Sequence, residues 1–273
     1  MARATGRARA PGRLLGSLLI VLAGCASQPP PLPAALPSAL PGAWLDPLRA
    51  CGCSGPFRSH LRLQVTAPGH ATTTIDGSLR AILPDTLWLT AGIGSFKPLF
   101  ALLASADSAE LLVHPQARYW ITPRSAADWD SMSPATWARA LHWALCPADL
   151  LRQFVPDGPG TMDAELWTLE GTVPRDSLRL RIRIDPQTSS VREIRISRSG
   201  VERCLARLAS MTRVGTTWIP TVLDLRLPRD GFRLQAELLA IKPTARSALA
   251  LPAFPRPPGW AQVREGEIVP GAP

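Results

Sequence analysis

The sequence predicts a mainly β protein, an antiparallel meander with an apolar and a polar side that is interrupted near its middle by a small helical cap. Leu178, Leu180, Ile182 and Ile184 alternate with Arg179, Arg181 and Arg183. At the two-residue period of extended chain this puts aliphatics on one face and arginines on the other. The same striping recurs in both halves of the chain, whereas apolar residues at helical spacing are confined to the stretch between them.

In chain order, Leu61, Leu63 and Val65 alternate with Arg62 and Gln64, and Ile75, Gly77, Leu79, Ala81 and Leu83 alternate with Thr74, Asp76, Ser78 and Arg80. Leu87, Leu89, Ala91 and Ile93 follow after Pro84-Asp85. Each reads as a half-buried strand. Pro98 to Ala104 is short and very apolar and is expected to be helical. Ser133-Pro134 supplies an N-cap and a proline at the first helical position, after which Trp137, Leu141 and Leu145 share one face. Pro147 opens a second short helix carrying Leu150, Leu151, Phe154 and Val155, ended by Pro156-Asp157-Gly158. Asp185-Pro186 turns the Leu178 strand back into Ile194 and Ile196, which gives a hairpin. Ile219, Leu223, Leu225 and Leu227, a turn at Pro228 to Gly231, and Phe232, Leu234, Ala236 and Leu238 complete the pattern. Strands on both sides of a helical insert make a sheet with a cap laid on it.

The N-terminus indicates export. Arg3, Arg7, Arg9 and Arg13 make a basic start, Leu14 to Val21 form an apolar run too short to span a bilayer, and Leu22-Ala23-Gly24-Cys25 closes it, the layout of a secretory leader. The ending resembles the lipobox of bacterial lipoproteins. That resemblance implies a signal peptide over 1–24, a diacylglycerol on the sulfur of Cys25, palmitate-type acylation and attachment to a membrane through this lipid anchor. Ala26 stands where an aspartate would mark retention at the inner membrane, so the implied location is the outer membrane, facing the periplasm. Residues 25–47 read as a lipidated start and an extended, proline-rich tether, and 48–273 as one domain. The formal charge of +9 falls to +5 once the leader, with its four arginines and no acid, is removed. An exported chain whose arginines are spread singly along strands is not a nucleic-acid binder.

Four cysteines remain in the exported part: Cys51, Cys53, Cys146 and Cys204. An oxidising compartment permits disulfides, and four cysteines allow three pairings among which the sequence does not choose. Cys51-Gly52-Cys53 lacks the second cysteine pair or His-x-His set that a metal site needs. The chain has no Gly-x-Ser-x-Gly elbow, no His-Glu-x-x-His and no phosphate-binding glycine loop. His60, His70, His114 and His142 stand isolated. No catalytic residue, cofactor or metal is therefore expected.

The lipobox and tether, the strands up to Arg118-Tyr119-Trp120-Ile121, the helical insert, Leu166-Trp167-Thr168-Leu169-Glu170-Gly171 leading into a strand, and the Asp185-Pro186 turn together resemble the LolA/LolB superfamily. Its members are periplasmic carriers and outer-membrane receptors of lipoproteins, and the resemblance spans about Leu48 to Val263. It implies an incompletely closed antiparallel β-barrel of about eleven strands with a small helical lid and an interior that takes acyl chains. On that reading the cavity wall is Leu63, Val65, Leu89, Ile182, Leu223 and Leu225 from the sheet, with Trp137 and Leu141 from the lid. The alternative is a core filled by its own side chains. The family's receptor displays an apolar residue on a projecting loop, for which Phe96, Leu99 and Phe100 are the membrane-contact candidates here. The soluble carriers are not lipidated, so the lipobox implies an anchored role. Two functions are consistent with this: a lipid-anchored binder of lipoprotein acyl chains or other lipids in sorting to the outer membrane, or a structural or sensory envelope lipoprotein that holds a protein partner with the same fold.

Overall fold

The computed structural model describes residues 41–53, 55–93, 97–130, 133–163, 165–214, 217–249 and 258–263. Helix α1 (Pro41–Ala50) precedes β1 (Phe57–Thr66), β2 (Thr73–Ile82), β3 (Thr86–Ile93), β4 (Lys97–Ala104), β5 (Ser108–Val113) and β6 (Arg118–Pro123). Helices α2 (Pro134–Leu145) and α3 (Pro147–Gln153) come next, with the short strands β7 (Val155–Pro156) and β8 (Thr161–Asp163). Then follow β9 (Leu166–Val173), β10 (Leu178–Asp185), β11 (Ser190–Arg198), β12 (Val201–Val214), β13 (Thr217–Leu227), β14 (Phe232–Pro243) and β15 (Ala261–Gln262).

All fifteen strands among the described residues belong to one sheet built from two meanders, β1 to β6 and β9 to β14. The meanders join where β1 pairs antiparallel with β14, setting Leu61 opposite Leu238, Leu63 opposite Ala236 and Val65 opposite Leu234. This places β6 and β9 at opposite ends of the sheet, extended only by the short β15 on one side and β7 and β8 on the other. The ends do not pair with each other, so the barrel is incompletely closed. Helices α2 and α3 lie in the chain that connects them, whereas α1 precedes β1. Twelve of the strands are longer than three residues, close to the number expected.

The striping is realised side chain by side chain. On β10, Leu178, Leu180, Ile182 and Ile184 are 0 to 3% exposed. On the opposite face Arg179 pairs with Asp157 at 2.8 Å, Arg181 with Glu170 at 3.1 Å and Arg183 with Asp163 at 3.6 Å. Thus the arginine face is the outside of the barrel and the aliphatic face its interior.

Two expectations change. Pro98 to Ala104 is not a helix but most of strand β4. Ala91 of β3 faces Phe100 and Gly92 faces Pro98, so Leu99 is an extra residue in a bulge. The bulge, together with the apolar Leu103 on the outer side, removes the two-residue alternation that marks a strand in sequence. The tether is shorter than expected, because Pro41–Ala50 is helical and Leu45 is fully buried. Pro41 stands at the first helical position, where proline is tolerated, and although Pro47 lies inside the helix, Arg49 ties it down by donating to Leu151 O at 2.9 Å and Phe154 O at 2.8 Å. Where the sequence left the cysteine pairing open, the structure pairs Cys53 with Cys146, their Cα atoms 5.3 Å apart, while Cys51 is exposed and Cys204 buried, both as free thiols.

If the face assignment is right, Ile182→Ala lowers the unfolding free energy by about 2–5 kcal/mol through the cavity it leaves. Arg181→Gln, which breaks only an exposed ion pair, changes it by less than about 1 kcal/mol. Urea denaturation of the two variants measures both, and equal losses would refute the assignment.

Candidate functional site

Between α2 and the inner face of the N-terminal meander lies a cavity of about 490 Å³, inside the range of roughly 300–1,000 Å³ usual for small-molecule sites. Its wall consists of Val65 on β1, Leu89 on β3, Leu99, Phe100 and Leu102 on β4, Leu111 and Val113 on β5, Trp120 on β6, and Phe232 and Leu234 on β14. Pro134, Trp137 and Leu141 of α2 roof it. Pro115, Gln116 and Arg118 contribute from the β5–β6 hairpin, and among the described residues Arg118 is the sole charged residue of the lining.

Local chemistry fixes the roof over the wall. Ser133 caps α2 by accepting from Thr136 N at 3.2 Å. Thr122 of β6 accepts from Ala135 N at 3.1 Å and donates to Ala109 O of β5 at 3.4 Å, so the helix start is bonded to the sheet edge. Trp137 meets Phe232 edge-on with ring centroids 4.8 Å apart, a favoured aromatic geometry that closes the cavity between α2 and β14. Further along, Arg124 donates to Asp85 O at 2.9 Å, Pro84 O at 3.0 Å and Ser105 O at 2.7 Å, and its second terminal nitrogen lies 2.8 Å from His142 Nδ1 of α2.

The expected wall divides in two. Val65, Leu89, Trp137 and Leu141 line the cavity. Leu63, Ile182, Leu223 and Leu225 do not, and at 0 to 2% exposure they belong to a packed core that also contains Leu45, Leu145, Leu150, Leu151 and Phe154. Phe154 presses on β9 at Gly171, where a Cβ would come within 2.6 Å of its ring. The interior is therefore hollow beneath α2, between the N-terminal meander and β14, and filled beneath the rest of the C-terminal meander. Leu99 and Phe100, expected on a projecting loop, are on β4 and face the cavity. Phe96 and Cys25 lie outside the described residues. Sequence reasoning missed the contributions of β5 and β6, because Leu111-Leu112-Val113 is apolar on both faces and shows no period.

A polar cluster sits at the far end of α2. His142 is 5% exposed, and burial pushes its pKa down to about 4, with Arg124, Arg139 and Arg152 acting in the same direction against Asp149. A guanidinium can only donate, so Nδ1 accepts and the ring proton is assigned to Nε2. Nε2 lies 3.6 Å from Asp149 Oδ2, beyond hydrogen-bond reach. His142 and the sulfurs of Cys53 and Cys146 are grouped closely enough to suggest metal ligands. In the disulfide the sulfurs are not thiolates, and the protonated Nε2 offers no lone pair, so the oxidised cluster is structural.

Protonating His142 is harder in the folded state than in the unfolded one. Its pKa falls from the ordinary 6.5 to about 4, so the unfolded chain takes up the proton first and stability falls as pH drops from about 6.5 to about 4. His142→Gln flattens this part of a stability profile measured by denaturation across the window. A profile unchanged by the substitution would show that the histidine is not the source.

No protein-family profile and no curated protein matches the chain. Among solved structures it is similar to a LolA superfamily protein from Nitrosomonas europaea, with 11% identity and a TM-score of 0.53 over 76% of this chain and 94% of that one. It is also similar to a DUF1329 family protein from Desulfovibrio piger, with 11% identity and a TM-score of 0.52 over 76% of this chain and 96% of that one. Identity this low shows likeness of fold, and the fold is the open, LolA-like barrel.

Proposed function

We propose that this LolA-like protein is a lipid-anchored envelope protein that takes an acyl chain, from a lipoprotein or another lipid, into the apolar cavity in the course of lipid or lipoprotein sorting to the outer membrane. The observation that carries the reading is the hollow itself: a cavity of about 490 Å³ with fourteen apolar residues among the sixteen that line it. Burial returns about 25 cal/mol per Å² of apolar surface, so even a partly enclosed acyl chain contributes several kcal/mol before the cost of association. The anchor rests on Leu22 to Cys25. No helix among the described residues is long and apolar enough to cross a membrane, and the lipid on Cys25 would supply the attachment.

Protein purified without residues 1–24 binds a fluorescent acyl probe saturably, with stoichiometry near one, and releases lipid on solvent extraction. Trp137→Ala and Phe100→Glu weaken binding by about tenfold or more, whereas Arg181→Gln on the outer face leaves it unchanged. Non-saturable uptake by a well-folded protein would overturn the proposal.

In cells, wild type incorporates a clickable palmitate and Cys25→Ala does not. Equal labelling of the two would rule out the anchor.

A further inference from the structure

We infer that Arg118 makes the cavity selective for amphiphiles with an anionic head on an apolar chain. The inference rests on the acyl-binding reading above and specifies its ligand class. The three arginines of β10 stand on the outer face, each paired with an acid. Arg118 of β6 does neither. It faces Val113 across the β5–β6 hairpin, and Trp120, two residues on, faces Leu111. Since residues two apart share a face, Arg118 is on the inner side with Trp120, and all four residues line the cavity.

Its side chain has no ion pair and no hydrogen bond among the described residues, in contrast to Arg124 six residues later, both of whose terminal nitrogens are engaged. The local backbone is built to present it. His114–Gln116 form a single 3-10 turn, and Ala117 then adopts the left-handed conformation (φ 49°), which starts β6 at Arg118. The turn also puts half-buried Gln116 and exposed Pro115 at this end of the cavity, whereas the opposite wall at Leu89, Leu102 and Leu141 is buried. One end is thus wet and cationic and the other dry. A carboxylate or phosphate ester at the wet end would receive two parallel N–H donors from the guanidinium, with Gln116 beside it, while its chain runs inward along the leucines. A neutral head would leave the cation uncompensated.

The test compares three ligands of equal chain length, dodecanoate, dodecyl phosphate and dodecan-1-ol, by calorimetric titration of the purified protein. At least one of the anions binds wild type about tenfold or more tightly than the alcohol, and whichever anion binds more tightly identifies the head group. Arg118→Gln removes the preference and leaves the alcohol's affinity within about threefold of wild type, Arg118→Lys retains part of it, and Arg58→Gln, which removes a charge from the outer face, retains all of it. Equal binding of the three ligands to wild type, or a preference that survives Arg118→Gln, would overturn the inference while leaving the acyl cavity intact. Binding of none of them would instead sink the acyl-binding reading and this inference with it.

Discussion

The two ends of the sheet, β6 and β9, never meet, and the rest of the molecule is organised by that constraint. A sheet with one apolar face that curls without closing would leave part of the face in water, at about 25 cal/mol per Å². The chain joining those two ends covers the opening, and its composition suits the task. Helix α2 is buried nearly all round, through Pro134, Ala135, Thr136, Ala138, Ala140, Leu141, Trp143, Ala144 and Leu145, the pattern of a helix embedded between layers and not one lying on a surface. Its alanines allow close approach to the sheet. Large side chains from α1, α3 and the end of α2 fill the space beneath the C-terminal meander. Towards the helix start, only Pro134, Trp137 and Leu141 reach down, and the hollow remains there.

The outer face meets the opposite requirement. Burial alone would raise the carboxyl of Glu193, but hydrogen bonds from Arg195 and Arg207 outweigh it and hold the group below its ordinary range. Asp224 is held down in the same way by Arg233 and Arg226 against the effect of its own burial. Single exposed ion pairs add little stability. Their collective effect is on register. A slip of one residue would exchange the faces of a strand, driving arginines into the core and leucines into water, so the striping allows one pairing and penalises its neighbours.

Much of this was legible in the sequence. Period-two striping located β1, β2, β3, β10, β11, β13 and β14, and the Ser133-Pro134 signal located the start of α2, because in each case one face is uniformly apolar. What escaped were segments whose two faces are alike. β4 reads as a continuous apolar run, its phase broken by Leu99, and β5 carries Leu111, Leu112 and Val113 in succession. These strands line the cavity, so the part of the site most hidden from the sequence is the part that makes it a site. Leu63, Ile182, Leu223 and Leu225 were correctly turned inward, but an inward side chain lines either a core or a cavity. The choice between them depends on what the helices place opposite, and no strand's own sequence contains that information.

Arg118 shows the same limit from the polar side. In Arg118-Tyr119-Trp120-Ile121 both alternate sets contain an apolar residue, so periodicity gives no preference for which set faces in. The decision is made by pairing: Val113 opposite Arg118 and Leu111 opposite Trp120 align the arginine with the cavity, while Tyr119 and Ile121 take the other face. Thr122, the next residue on the inner side, bonds to the start of α2. The inner face of β6 thus changes along six residues from a cation at the cavity end, through an indole in the wall, to a hydroxyl that holds the roof. The arginines of β10 are held by acids on the neighbouring segments. Among the described residues Arg118 has no such partner and is placed by the hairpin register, so its guanidinium faces whatever enters the cavity.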